Sequence, residues 1–292
     1  MFDVIIIGAG PAGISASLYT KRANLNTLVL HYGESNLQKA KMIENYYGFP
    51  KGISGEELYE AGIKQATNLG IQVKDEEILK IEIEAKDNKN IFHVITTDNR
   101  YTSRSIILAL GAKKNKLQIK GIKELEGKGI SYCAVCDGFF YRNKDVAVIG
   151  SGKYAISETN DLINIAKTVT ILTNGEKEPE FRADNVKILT KPIEQIEGKD
   201  KVEQVVFNDR STIKTDGIFI AQGTAGSTEI AKKLGLLLKD DKIVVNDNME
   251  TNVKGVFACG DCVGGVLQVS KAVSDGTIAG LSLINFLRNL KS

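Results

Sequence analysis

Two glycine-rich turns, each placed between an apolar run and a helix-like stretch, constrain the fold of this chain most strongly. The first, Gly8-Ala-Gly10-Pro11-Ala12-Gly13, follows the apolar run 3–7, and the second, Gly150-Ser-Gly152-Lys-Tyr-Ala155, follows the run 145–149. In such a turn, the first glycine permits a tight bend, the second admits a pyrophosphate, and the third small residue lets the helix pack on the strand. The repetition therefore predicts two dinucleotide-type units in one chain.

The remaining pattern predicts an α/β fold with two Rossmann-like, three-layer nucleotide-binding domains. Helices are expected over residues 14–23, from Ser54 to about Leu69, from the second glycine turn to about Ala166, and over 267–286. Ser54 and Glu57 have the spacing of a capping box at the start of the second of these helices. Short apolar runs that end at turn residues predict strands at 27–30, 106–110, 168–172, 187–189, 204–207 and 217–223.

Between these units, several runs of strand length indicate a small antiparallel insertion. The runs are 71–73, 78–84, 91–96 and 101–103, with turn residues at Asp87-Asn88 and Asp98-Asn99. His93 lies in one of them, and a half-buried, hydrogen-bonded histidine is the expected interpretation rather than a catalytic one.

The cysteine box Ser131-Tyr-Cys133-Ala-Val-Cys136-Asp137-Gly138 carries the candidate chemistry. Thiols two residues apart can close a reversible disulfide, and Asp137 is placed to exchange a proton with a thiol. A structural disulfide and half of a zinc site are the alternatives. Zinc requires a further ligand pair, and Cys259 and Cys262 bracket a different loop, so no metal is expected.

Composition limits the class of protein further. The 292 residues have a net charge of +2, 42% hydrophobic and 25% charged side chains, which is typical of a globular protein without a nucleic-acid footprint. No apolar run approaches the roughly 18 residues of a membrane span. The chain enters a strand directly at its start, so we expect a cytoplasmic protein, in which a close cysteine pair is redox-active.

The expected nucleotide anchors are incomplete. The strand 27–30 ends at His31 and Glu34 comes late, so the first ribose anchor is unassigned. The strand 168–172 ends in Thr173-Asn174-Gly175, where an acid would hold a ribose diol or arginines a 2′-phosphate. Arg182 follows only after Glu176, Glu178 and Glu180, whose charges oppose a phosphate.

Over nearly its whole length the chain resembles the low-molecular-weight thioredoxin reductases. The resemblance rests on Gly8 to Gly13, Arg22-Ala-Asn-Leu25, Glu44-Asn45, Ala109-Leu-Gly111-Ala112, Cys133 to Arg142, Gly150 to Ala155 and Gly260-Asp261. It implies a discontinuous FAD-binding domain, 1–115 and 223–292, and an NADPH-like domain, 116–222, that carries the cysteines. FAD contacts are implied at Gly8, Gly10, Pro11, Ala12, Gly13, Asn36, Asn45, Val73, Gly111, Asp261, Gln268 and Val269.

The resemblance also implies the redox roles. Cys133 and Cys136 pass electrons from flavin to a thioredoxin disulfide, Cys136 is the sulfur nearer the flavin, and Asp137 is the acid/base. Such reductases are usually homodimers.

The departures from the family lie on the nicotinamide side. The family's His-Arg-Arg run is replaced by Thr173-Asn174-Gly175 in this chain, and Ser157 stands where the family usually has one of two adjacent acids. The family's Arg-Gln-Ala near the C-terminus is replaced by Leu267-Gln268-Val269. Each lost charged hydrogen bond to a phosphate costs about 1.5 to 3 kcal/mol, so two would weaken NADPH by roughly two to four powers of ten. The pattern is similar to ferredoxin-dependent flavin thioredoxin reductases.

Three functions follow. Ferredoxin-driven thioredoxin reduction is favoured, and the lysines between 113 and 128 would suit an acidic iron-sulfur partner. The alternatives are an NAD(P)H-dependent reductase with an atypical pocket and a flavoprotein redox sensor without turnover.

Overall fold

The computed structural model describes residues 1–86, 89–111, 117–223 and 226–290. The chain divides into two compact units, one formed by Met1–Lys114 with Gly226–Ser292 and the other by Asn115–Ala225. The predicted turn at Asp87-Asn88 and the lysines 113, 114 and 116 lie outside the described residues.

The first unit is built on a parallel sheet whose central strand precedes the first glycine turn. Its elements up to the second unit are β1 Val4–Ile7, α1 Pro11–Arg22, β2 Thr27–His31, α2 Gly55–Asn68, β3 Gln72–Asp75, β4 Ile78–Lys86, β5 Lys89–Thr96, β6 Arg100–Ser103 and β7 Ile106–Leu108. Every residue of β1 is at most 1% exposed, as expected for a strand covered on both faces.

Helix boundaries in this unit follow local chemistry. The chain enters α1 at Pro11, three residues before the predicted start, because proline suits the first helical position. Ser54 and Glu57 form both hydrogen bonds of the predicted capping box at the start of α2.

The antiparallel insertion is confirmed, with the strand order β4-β5-β6. The run near residue 72 does not belong to it, because β3 pairs in parallel with β2 and extends the main sheet. His93 is hydrogen-bonded to Thr102 (3.2 Å) and Glu84 (3.1 Å), which confirms its structural interpretation.

The second unit repeats the arrangement around its own glycine turn. Its elements are β8 Ile130–Ser131, α3 Ala134–Asp137, β9 Asp145–Ile149, α4 Lys153–Leu162, β10 Thr168–Leu172, β11 Val186–Leu189, β12 Ile193–Glu197, β13 Gln204–Phe207, β14 Thr212–Lys214 and β15 Gly217–Ile220. The parallel sheet has the order β11-β10-β9-β15-β8, and β12-β13-β14 form an antiparallel sheet. Helix α4 ends four residues before the predicted Ala166, where Asn185 donates to the carbonyls of Ile163 and Ala166.

The chain then completes the first unit. The last elements are α5 Ser227–Lys233, β16 Leu238–Lys239, β17 Lys242–Ile243, β18 Val256–Ala258 and α6 Val269–Asn289. The first parallel sheet thereby has the order β18-β7-β1-β2-β3. Helix α6 crosses α1 so closely that a Cβ at Gly276 would lie 2.1 Å from the carbonyl oxygen of Ala12.

Candidate functional site

The redox box forms a disulfide between Cys133 and Cys136 directly after β8. The two sulfur atoms differ in environment, because Cys133 is 1% exposed whereas Cys136 lies at the surface. The backbone N–H of Cys136 donates to Cys133 Sγ at 3.1 Å. Cys133 Sγ is thus enclosed by the redox box itself, whereas Cys136 is the sulfur that a partner can reach.

Polar side chains fix the backbone of the redox box. Ser131 Oγ accepts the N–H of Cys133 (3.1 Å) and donates to Asp137 Oδ2 (2.6 Å). Glu158 on α4 is fully buried, and its carboxylate accepts the N–H of Ala134 (2.7 Å). Sequence reasoning did not assign Ser131 or Glu158, since contacts between a loop and a distant helix leave no periodic signal.

An exposed apolar surface adjoins the disulfide. Phe139 and Phe140 follow the box and are 67% and 68% exposed, and Val135, between the cysteines, is 53% exposed. Large apolar side chains grouped at a surface indicate a protein-binding site. The disulfide therefore sits beside a surface suited to a protein partner.

In the first glycine turn, the surrounding backbone leaves no room for a Cβ atom at two of the glycines, whereas the space beside a third glycine is open. A Cβ at Gly8 would lie 2.1 Å from the carbonyl oxygen of Ala109, and one at Gly13 would lie 1.8 Å from that of Gly8. Gly10 has an ordinary φ of −72°, and its Cβ would meet only Ser35 Oγ at 3.7 Å. Because neither the backbone nor packing requires glycine there, the open space fits a closely approaching phosphate.

The N-terminus of α1 offers hydrogen-bond donors to the same phosphate. Within the described residues, no side chain caps this helix, so its first N–H groups are available to an anion. A Cβ at Gly111 would meet no atom of the described chain within 4 Å. These features fit a bound dinucleotide such as FAD.

The turn that carries Asp261 is fixed by a network behind it. Asp275 accepts the N–H of Gly260 (3.0 Å) and pairs with Lys271 (2.7 Å). Lys271 also donates to the carbonyls of Gly260 (3.0 Å) and Gly264 (2.6 Å). This network holds Asp261 at the carboxyl end of β18, where ligands of such sheets bind.

The other predicted FAD contacts occupy the same unit. Asn45 donates to Gln268 (3.0 Å), which joins two predicted positions 223 residues apart, and Val269 begins α6. Asn36 begins a short 3₁₀ helix capped by Ser35, and Val73 lies within β3. Their contacts with FAD stay predictions.

The second glycine turn is similar in shape but has a carboxylate beside it. Gly150 is required, because its Cβ would lie 2.3 Å from the carbonyl oxygen of Ala221, whereas a Cβ at Gly152 would meet no atom of the described chain within 4 Å. Glu176 accepts hydrogen bonds from Ser151 and from Gln222. The sequence places Glu176 beyond the strand end, and the structure returns its side chain to the turn.

The second cysteine pair is buried and reduced. Cys262 Sγ donates to the carbonyls of Cys259 (3.2 Å) and Leu108 (3.5 Å). Burial raises the pKa of the Cys259 thiol well above its usual value and that of Cys262 to about 11. Neither thiol is therefore a nucleophile at neutral pH, since the thiolate is the reactive form.

Alkylation of the reduced, folded protein is expected to separate the two pairs. Iodoacetamide at pH 8 should label the exposed Cys136, and label the buried Cys259 and Cys262 only after denaturation, as measured by peptide mass spectrometry. Raising the pH toward 11 should speed labelling of Cys262, because deprotonation then populates its thiolate. Labelling of Cys262 as fast as Cys136 at pH 8 would contradict the assignment.

The described residues contain neither a cluster of metal ligands nor a helix that could span a membrane. In this part of the chain, no group of three or more histidine, cysteine or carboxylate side chains is arranged to hold a metal ion. None of its helices is both long enough and apolar enough to span a bilayer.

Comparison with known proteins identifies the family. Residues 2–276 match the family described as pyridine nucleotide-disulphide oxidoreductase. The chain belongs to this family. It is 38% identical to the thioredoxin reductase of Bacillus subtilis over 312 aligned positions, which cover 100% of this chain and 96% of the relative. Its membership of the low-molecular-weight thioredoxin reductases is thereby confirmed, and the chain is an FAD-dependent flavoprotein.

Solved structures of the family share the fold over the whole chain. The atypical thioredoxin reductase TRi of Desulfovibrio vulgaris Hildenborough has a TM-score of 0.89 at 35% identity, with 99% of each chain covered. A ferredoxin-flavin thioredoxin reductase of Clostridium acetobutylicum has a TM-score of 0.70 at 32% identity, covering 99% of this chain and 98% of that one. Both confirm two Rossmann-like domains.

Proposed function

We propose that this chain is a thioredoxin-disulfide reductase that receives its electrons from a reduced ferredoxin. The observation that carries the choice of donor is the second glycine turn, where the carboxylate of Glu176 accepts hydrogen bonds from Ser151 and Gln222. The arginines with which family members hold a 2′-phosphate are replaced by Thr173-Asn174-Gly175. The relatives that reduce thioredoxin support the substrate, and the similar ferredoxin-flavin reductase supports the donor.

FAD, when bound, supplies a centre that accepts electrons singly and delivers them as a pair. In this proposal, residues Gly8 to Gly13 hold its pyrophosphate, and Asn36, Asn45, Val73, Gly111, Asp261, Gln268 and Val269 position the remainder. Domains 1–115 with 223–292 and 116–222 keep the roles expected from the sequence.

The cysteines carry out the disulfide chemistry. Two electrons and two protons convert the Cys133–Cys136 disulfide to two thiols. One thiolate then attacks the thioredoxin disulfide, forming a mixed disulfide and releasing one partner thiolate, and the second cysteine attacks that bond and re-forms the internal disulfide. Asp137 exchanges the proton with the thiol, and Ser131 holds its carboxylate in place (2.6 Å).

Both protein partners have a candidate surface. The exposed Phe139 and Phe140 beside the disulfide suit the apolar rim of a thioredoxin disulfide. Lys120, Lys123 and Lys128 are exposed and suit an acidic ferredoxin, although Glu124 and Glu126 lie among them, so steering is a secondary argument. A homodimer and a cytoplasmic location stay predictions.

The second candidate is an NAD(P)H-dependent reductase. The open space at Gly152 favours it, because the backbone there leaves room for a phosphate. Steady-state turnover separates the two functions. The protein, thioredoxin and a ferredoxin kept reduced are expected to give many turnovers, whereas NADPH or NADH gives none above the rate without enzyme. Turnover with NADPH at an equal rate would reject the donor assignment, and no turnover with either donor would favour a redox sensor.

A further inference from the structure

The sheet order of the second unit locates the crevice in which a dinucleotide would bind. From β9 the chain proceeds outward through β10 to β11, while β15 lies on the other side of β9. In open parallel sheets, ligands bind where this order reverses, outside the carboxyl ends of the two strands concerned. The crevice therefore lies at the ends of β9 and β15, beside Ser151 and Gln222.

A tight turn directs the chain from β10 back to this crevice. Asn174 and Gly175 have φ angles of 52° and 88°, and the N–H of Glu176 donates to the carbonyl of Thr173 (3.1 Å), as in a type I′ turn. Thr173 Oγ1 donates to the carbonyl of Glu176 (2.8 Å), and the N–H of Ile193 donates to Asn174 Oδ1 (2.8 Å). The position of Glu176 is thus fixed by its own turn.

The carboxylate of Glu176 crosses the crevice. Its Oε2 accepts the hydroxyl of Ser151, which follows β9, and its Oε1 accepts Gln222 Nε2 (3.3 Å), which follows β15. We call this arrangement the carboxylate bridge. An acid that binds a ribose diol lies at the end of its own strand and offers its oxygens to the ligand. In this chain, both carboxylate oxygens of Glu176 instead accept hydrogen bonds from the protein, one from Ser151 and one from Gln222.

We infer that the carboxylate bridge excludes pyridine dinucleotides from the second unit and that Glu176 is its specificity-determining residue. The missing arginines account only for the loss of a 2′-phosphate. The negative charge of the bridge instead repels the pyrophosphate, which NADH and NADPH share. Both nucleotides are therefore excluded. The inference rests on the proposed function and deepens it, because it assigns the exclusion of both nucleotides to a residue that is present.

Calorimetric titration of the FAD-loaded protein with NADH and with NADPH tests the bridge. Glu176→Gln removes the charge and keeps a side chain of the same shape, and Glu176→Ala removes the bridge. Glu180→Gln is the matched control, since Glu180 is an exposed acid on the same segment. Both Glu176 variants are expected to bind NADH at least about tenfold more tightly than the wild type, and the control is expected to be unchanged.

Other outcomes would overturn the inference. If the wild type binds NADH and Glu176→Gln binds it more weakly, Glu176 is a ribose ligand. If neither Glu176 variant gains affinity while the wild type still turns over with reduced ferredoxin, the bridge has no role in exclusion and the proposed function stands. If the wild type turns over with NADH, the proposed donor fails as well.

Discussion

Cys136→Ser is expected to keep FAD bound and to lose thioredoxin reduction by roughly three powers of ten or more. The single remaining thiol, Cys133, cannot close the internal disulfide that takes up two electrons and is re-formed when the partner is released. Cys133 is buried and hydrogen-bonded at its sulfur (3.1 Å), so serine at position 136 leaves the rest of the box in place. The measurement is the rate of thioredoxin reduction per bound flavin, with reduced ferredoxin as donor.

Cys262→Ser provides the matched control. Its hydroxyl can donate to the same carbonyls, Cys259 and Leu108, that the thiol contacts. We expect this variant to retain FAD and activity, because Cys262 takes no part in electron transfer. Wild-type turnover by Cys136→Ser, or equal loss in Cys262→Ser, would contradict the assignment of the redox pair.

Gly10→Ala is expected to lower FAD affinity, whereas Gly152→Ala is expected to leave it unchanged. The two glycines are equivalent in sequence, and both have open space beside them in the structure. A methyl group at Gly10 would occupy the space assigned to a flavin phosphate, at a cost of about 1 to 3 kcal/mol, which is roughly a ten- to hundredfold loss of FAD affinity. At Gly152, if the second unit binds no dinucleotide, the same change is expected to be silent. FAD content after purification and thermal stability are the measurements.

Gly13→Ala separates loss of the cofactor from loss of the fold. Its Cβ would lie 1.8 Å from the carbonyl oxygen of Gly8, so this variant is expected to lower the stability of the whole first unit. Gly10→Ala, in contrast, should unfold at the temperature of the FAD-free wild type. Full FAD content in Gly10→Ala, or lost turnover with ferredoxin in Gly152→Ala, would contradict the asymmetry between the two units.

Local chemistry made much of the fold predictable from the sequence. The capping box at Ser54, the apolar strand Val4–Ile7 and the glycine turns depend on residues close together in the chain, and the structure contains all of them. The short strands β12, β14, β16 and β17 were not predicted. They have two to five residues each, which is too few for a period to be recognised.

The candidate site was predictable only in part, for a different reason. The cysteine box is contiguous, so its chemistry is visible in the sequence. The sequence indicates only that Glu176 is one of three acids whose charges oppose a phosphate, although the Asn-Gly pair before it is typical of a type I′ turn. The turn reverses the chain, but its side-chain partners Ser151 and Gln222 lie 25 and 46 residues away and are brought together by the sheet.

The central claim is that one glycine turn holds FAD and the other holds no pyridine nucleotide. Titration of the anaerobic, oxidised wild-type flavoprotein, followed by its flavin absorbance, tests it most directly. NADPH and NADH are expected to leave the flavin oxidised, whereas reduced ferredoxin is expected to bleach it. Rapid bleaching by micromolar NADPH or NADH would contradict the claim.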